Sequence, residues 1–482
     1  MEDLIKSLIK KREGTTPGEV KKILGFIDEI DNKTNKRKEL TELIINSFTD
    51  KINLAEKFHD ITPFYYDKAG IWWIWKGDHV APAPSGNVVV AKKGGGQTNY
   101  YEQWDEVDIL NAIDNSSPAD VINGKERQEI LQALKQVGRR RKPAETKRTW
   151  IAFKNVVVDI ETGEKFKPSA EYFFTNPIPH KLGRNAETKN LDKLFKDWVG
   201  EEYVKTLYEV IAYCLLKDYP IERIICLLGS GSNGKSCFLK VLRNFLGSEN
   251  IVSSDLHLLT KSRFETSKLR GKSACLIGET NLQNLDNTQL IKRMTSGKDP
   301  IPIEYKNRGL LDYVNYAKLI MATNNLPETT DKTAGWGRRW LIIDFPNTFE
   351  KEVDVLSQIP EEEYENLCLK SITFLIDLLN KRTFHEEGTI KERMEKYEAK
   401  SDFLQKFLDD YTKEGVDEWI SKNDFRKKFV QWCIEKGHRP LADNTISKKL
   451  KEKGIESGKK FVQWIKEGGG QIPVYYGIKW IN

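Results

Sequence analysis

Cysteine is scarce in this chain and shows no paired spacing. Six occur among 482 residues: Cys214, Cys226, Cys237, Cys275, Cys368 and Cys433. None forms a Cys-x-x-Cys pair and most sit in apolar runs. That argues against a zinc site or a disulfide framework and for reduced, buried thiols. The six histidines are scattered, without metal-ligand spacing. No apolar run approaches the roughly 18–20 residues that a bilayer span needs. Met1–Lys11 mixes acids with lysines and lacks the apolar stretch of a cleavable leader. These absences exclude a membrane role, point away from export and lead to the expectation of a cytoplasmic protein. No internal repeat or low-complexity tract is present.

Hydrophobic residues make up 39% and charged residues 31%, enough apolar material for real cores. The length predicts about three domains. The net charge of +6 is unevenly spread: residues 421–482 carry 14 Lys/Arg against 6 Asp/Glu, so the rest of the chain nets to −2. A basic end on a near-neutral body suggests an acidic partner, most simply nucleic acid.

Residues 1–60 repeat apolar positions at helical spacing, at Leu4, Ile5, Leu8 and Ile9 and again at Leu40, Leu43, Ile44 and Phe48. Residues 61–200 read as an α+β region. Phe64–Tyr66, Ile71–Trp75 and Val88–Ala91 are expected strands, followed by a flexible basic loop at Lys92–Gly96. Glu126–Val137 is an expected helix running into Arg139-Arg140-Arg141-Lys142, a run that suits either a phosphate backbone or a solvated helix end. Trp150–Asp159 reads as a strand and Leu191–Leu216 as a pair of helices. Residues 223–345 alternate strand and helix, an α/β signature, within an expected domain of 201–350. Residues 351–401 read as an acidic helical linker, and 402–482 as a separate small module.

The chemistry is concentrated in the middle. Arg223–Leu228 is an apolar strand, followed by Gly229-Ser230-Gly231-Ser232-Asn233-Gly234-Lys235-Ser236 and then an amphipathic helix. This is Gly-x-x-x-x-Gly-Lys-Ser in its required strand–loop–helix setting. Glycines let backbone N–H groups turn inward around phosphates, and the helix N-terminus adds partial positive charge. Lys235 then reaches the β- and γ-phosphates of ATP, and Ser236 ligates Mg²⁺. Ser273–Gly278 is a second strand ending in Glu279, a carboxylate placed to polarise water or hold the metal. Gly278 stands where many such proteins carry a second acid, which leaves Mg²⁺ on Ser236, the phosphates and water. Ala317–Ala322 is a third strand, and Asn324 beyond it can position the lytic water; Asn325 is read as a turn former. Arg338 and Arg339 precede a fourth strand, where an arginine can neutralise transition-state charge. One of them can equally be a structural salt bridge.

Read in order, LLGSGSNGKS, LRGKSACLIGET, QLIKRMTSGKDPIPIEYKN, KLIMATNNLP and GWGRRWLIIDF resemble the superfamily III helicases, specifically the poxvirus-type and phage/plasmid primase-helicase group. The resemblance spans roughly 60–350 and is most specific over 225–345. It implies an AAA+ P-loop ATPase core, assembled as a homo-oligomeric ring, a hexamer, that translocates on single-stranded DNA and opens forked DNA in the replication of a virus, phage or plasmid. It also implies a pore hairpin between Glu279 and Asn324. Lys292, Lys298, Lys306 and Arg308 lie there, and Lys306-Asn307-Arg308 reads as its basic tip. Relatives often carry a primase; no Asp-x-Asp with a supporting histidine is convincing here, so a separate primase is an expected partner.

The last module reads as helix Ser421–Lys436, helix Asn444–Lys453 capped by Asp443, and a hairpin of Phe461–Ile465 and Val474–Trp480. That resembles a winged helix, with Lys448, Lys449 and Lys451 on or near one side of the second helix to contact DNA. A replicative helicase leads these expectations. An ATP-controlled origin-binding initiator without processive unwinding, and a P-loop small-molecule kinase, remain open as alternatives.

Overall fold

The structure, a computed structural model, describes residues 51–77, 99–115, 123–278, 285, 288–305, 309–327, 329, 331, 333–350, 354–435, 440–463 and 469–481. Its centre is a five-stranded, wholly parallel sheet. We label the strands β1 (Ile224–Leu228), β2 (Ile251–Ser254), β3 (Ala274–Ile277), β4 (Lys318–Thr323) and β5 (Trp340–Asp344); their order across the sheet is β5-β1-β4-β3-β2. β1, β3 and β4 are buried at every position, as strands covered on both faces must be. Side chains alternate between two cores. Ile225, Leu227, Leu276, Ile320, Leu341 and Ile343 point into one. Cys226, Cys275, Ile277, Leu319, Met321 and Ile342 point into the other.

The first of these cores reaches well beyond the α/β segment. Ile151, Phe153, Val158, Leu191, Phe195 and Trp198 belong to it, as do Leu367, Leu375 and Leu378. Residues around 151–199 thus share the core of the sheet that follows them, and the segment read as a linker, 351–401, is no tether. The helix Glu361–Lys381 packs on the helix Lys189–Tyr213, which breaks at Gly200 (φ 76°) into the expected pair.

A buried ionic knot ties the segment after Lys381 to the sheet. Glu387, whose side chain is 3% exposed, accepts from Arg223 at 2.8 and 2.9 Å and from Arg393 at 3.1 Å. Removing one partner of such a group strands the others without water. Glu387→Ala is therefore expected to cost about 3–5 kcal/mol, read as a fall in the midpoint of urea unfolding with little change in slope. A change in stability of under about 1 kcal/mol would mean that the knot is solvated.

Two smaller units flank this body. In the first, Phe64–Tyr66, Trp72–Lys76 and Tyr100–Trp104 form an antiparallel sheet against the helices Lys51–Ile61, Glu106–Asn115 and Gly124–Arg140. The latter is started by a capping box between Asn123 and Glu126. The expected strand Val88–Ala91, the loop Lys92–Gly96 and residues 1–50 lie outside the described residues. The single strand expected over Trp150–Asp159 is a hairpin, Trp150–Ala152 against Val157–Asp159, because the chain reverses at Phe153–Val156.

In the second, residues 403–480 close their own aromatic core around Phe407, Phe425, Phe429 and Trp432. Its order is helix Phe403–Tyr411, strand Thr412–Ser421, helices Lys422–Glu435 and Asp443–Glu452, then strands Ser457–Val462 and Gly470–Trp480. The strand Thr412–Ser421 was not expected. It is an edge strand, exposed at half of its positions, and its polar sequence hides the alternation. Asp443 is not the helix cap: Ala442 takes that position, and the Asp443 carboxylate sits 3.1 Å from Arg426.

Candidate nucleotide site

The loop Gly229–Gly234 joins the carboxyl end of β1 to helix α1 (Lys235–Leu246). Two of its glycines are required by geometry. A Cβ on Gly229 would stand 1.9 Å from Asn233 Nδ2 and 2.7 Å from the Phe345 carbonyl; Gly234, at φ +92°, would meet Trp198 at 2.5 Å. Gly231 and Ser232 also adopt positive φ. The loop is held from both sides: Gly229 N–H donates to the Thr323 carbonyl at 3.3 Å, and Asn233 Nδ2 to the Phe345 carbonyl at 3.2 Å.

Lys235 is 6% exposed, and its ammonium donates to the Gly229 carbonyl (2.7 Å), Asn233 Oδ1 (2.9 Å) and Asn324 Oδ1 (3.1 Å). Ser230, Ser232 and Ser236 are exposed around it, Ser236 in the first turn of α1. A turned-in loop that a Cβ would fill, a buried cation at its mouth, a hydroxyl and a helix N-terminus fit the triphosphate end of a nucleotide with its metal ion.

Asn324 meets Lys235 because β4 is hydrogen-bonded directly to β1. Asn325 behaves as a turn former: Thr323 Oγ1 donates to its carbonyl at 2.7 Å and accepts from its N–H at 3.2 Å. Glu279 follows β3, one strand further from β1, and lies outside the described residues.

The two arginines are far from this loop. They precede β5, and the Arg339 carbonyl accepts from Ile224 N–H at the amino end of β1, the opposite edge of the sheet from Gly229. Glu222 clamps both, at 3.0 Å from Arg338 and 2.8 Å from Arg339. Arg339 is also bonded to Thr295 and to the Gly335 carbonyl and is 7% exposed; burial lowers its pKa, against the pull of Glu222. The Arg338 side chain is 43% exposed. Glu222 carried no signal in the sequence, since nothing local connects it to a pair of arginines 116 and 117 positions on.

The hairpin expected between Glu279 and Asn324 is present as Pro300–Glu304 paired antiparallel with Leu310–Val314. Its tip, with Lys306 and Arg308, lies outside the described residues. Lys298 is exposed at its base. Lys292 is not directed to solvent: it pairs with Asp331. Burial pushes the Asp331 carboxyl up, but hydrogen bonds from Lys292, Thr288 and Thr333 outweigh it and hold the group well below the usual carboxylate range. In the C-terminal module Lys448 and Lys451 are exposed, three residues apart on one face. Lys449 turns instead towards Asp402 (3.7 Å), which also holds Lys453 at 2.7 Å. In the run 139–142 every cation has a partner: Arg139 the carbonyls of Tyr66 and Asp67, Arg140 Glu56, Arg141 Asp60 and Lys142 Glu145.

Residues 227–339 match a family of unknown function, DUF5906. Over 305 residues the chain is 26% identical to a protein of Acanthamoeba polyphaga mimivirus named "Putative helicase L207/L206". That match covers 55% of this chain and 31% of the relative, so the chain spans about a third of the relative's length. Among solved structures, two apo forms of the NrS-1 C-terminal region align over 87% and 89% of this chain and 97% and 99% of theirs, with 12% and 13% identity and TM-scores of 0.44 and 0.42. Among the described residues no helix is long and apolar enough to cross a membrane.

Proposed function

We propose that this chain is an ATP-driven DNA helicase of the superfamily III kind, acting in replication of a virus, phage or plasmid. The observation that carries the reading is the Lys235 ammonium, bracketed by the loop carbonyl of Gly229 and by Asn324 Oδ1 from the adjacent strand. Lys235 and the loop N–H groups would hold the phosphates of ATP, Ser236 and Glu279 the Mg²⁺, and Asn324 the attacking water. Bound Mg²⁺ supplies charge neutralisation at the phosphates.

The parallel order with β4 inserted between β1 and β3 supports an AAA+ core. Arg338 sits too far from its own loop to serve it. It serves the nucleotide of a neighbouring copy, which calls for a ring, read as a hexamer. The helix–strand–helix–helix–hairpin order of residues 403–480 supports a winged helix, with Lys448 and Lys451 towards DNA. The helicase name of the mimivirus relative is in keeping with this. A small-molecule kinase would leave Arg338 and the basic module without a role.

The test is hydrolysis of ATP by the full chain with and without single-stranded and forked DNA, with mass in solution and strand separation measured alongside. Turnover that rises with DNA, in a ring-sized species that opens the fork, is expected. Turnover indifferent to DNA, from a monomer, would overturn the reading; DNA-stimulated turnover without strand separation would favour an origin-binding switch.

A further inference from the structure

Helix α2 (Ile390–Ser401) carries an acidic and basic surface that gave no sign of a role in the sequence, yet it contacts two segments that lead into the nucleotide site. Its Lys396 donates to the Ile342 carbonyl at 2.9 Å and pairs with Asp344 at 2.8 Å; Lys400 pairs with the same carboxylate at 3.2 Å. The next residue, Phe345, offers the carbonyl that holds Asn233, and Asn233 holds Lys235. On the other side the Tyr397 hydroxyl donates to the Pro327 carbonyl at 2.6 Å. Pro327 closes the short turn that begins at Asn324, the second side-chain contact of Lys235. The Tyr397 ring is 5% exposed, stacked on Trp340 (5.0 Å) and edge-on to Trp336 (6.0 Å), so the hydroxyl has one fixed direction.

We propose that Tyr397 is a positioning residue for ATP turnover: its hydroxyl fixes the turn that presents Asn324 beside Lys235. The inference rests on the ATPase reading above. The physical reason is the shape of the turn. Thr323 pins Asn325 and Leu326 is buried, and among the described residues the Tyr397 hydroxyl anchors the carbonyl at the far end. A side chain that orients a reacting water acts only when it is held within a fraction of an ångström. α2 also leads directly to Asp402, which holds Lys449 and Lys453 of the C-terminal module.

Tyr397→Phe removes the hydroxyl and keeps the ring stack. We expect kcat for ATP to fall about tenfold while KM changes less than about twofold, because the phosphate-holding groups are untouched. The melting temperature should stay within about 2–4 °C of the parent. Unchanged kcat in the variant, with an active parent, overturns the inference and leaves the ATPase reading standing. So does a kcat loss matched by equal loss of nucleotide affinity and a large drop in melting temperature, the mark of a merely structural bond. A parent chain that turns over no ATP overturns both.

Discussion

Lys235→Ala is expected to lower ATP turnover by about 10²–10³-fold at saturating nucleotide, with the fold intact. Among the described residues the ammonium is the cation that the structure places at the loop, and Gly229, Asn233 and Asn324, which accept from it, belong to the walls of the site. Its loss leaves the Gly229 carbonyl and two amide oxygens short of a donor, at about 1–3 kcal/mol. The same change relieves the cost of keeping a charge buried, so cooperative unfolding should survive. Single-turnover hydrolysis, a melting curve and nucleotide affinity on the same sample check all three statements. Parental turnover in a properly folded Lys235→Ala protein would remove the site from Gly229–Ser236 altogether.

The second large effect concerns Arg338. Its replacement by alanine is expected to lower turnover by about 10³-fold, the scale on which an arginine supplied by a neighbour acts. The loss should be recoverable in a way that no cis residue allows. Arg338→Ala and Lys235→Ala proteins, each inactive, should regain part of the activity when mixed, because some junctions then combine an intact loop from one copy with an intact arginine from the other. A mixture that stays inactive, although the two proteins co-assemble, would place the arginine outside the reaction. Arg339→Ala should fail differently. That side chain is enclosed by Glu222, Thr295 and Gly335, and its removal leaves the Glu222 carboxylate with one partner and a cavity beside it. Loss of stability by several kcal/mol, visible before any assay, is the expected outcome.

The parts that were legible beforehand are those that rest on neighbouring positions. The loop Gly229–Ser236 lies between an apolar strand and an amphipathic helix, and the structure has that strand and that helix. The hairpin Pro300–Glu304 with Leu310–Val314 was implied by the family resemblance and not by spacing alone. The hairpin within Trp150–Asp159 was not legible, because an apolar stretch of that length reads as one strand whether or not it reverses. Nor was the strand Thr412–Ser421, whose pairing partner lies some 60 residues later and whose exposed face is polar.

By itself, then, the sequence determined the strand–loop–helix at Lys235, the apolar character of the strands around it and the basic character of residues 421–482. Each follows from composition or from spacing within a few residues, where helix and strand periodicity act. Only the tertiary structure decided that β4 lies against β1 and brings Asn324 to Lys235. It alone separated Arg338 from Arg339, turned Lys449 away from Lys448 and Lys451, and set Tyr397 on the turn after Asn324. Those outcomes depend on partners far off in the chain, Glu222 for the arginines, Asp402 for Lys449 and Pro327 for Tyr397, and contacts of that range are settled by packing and strand order.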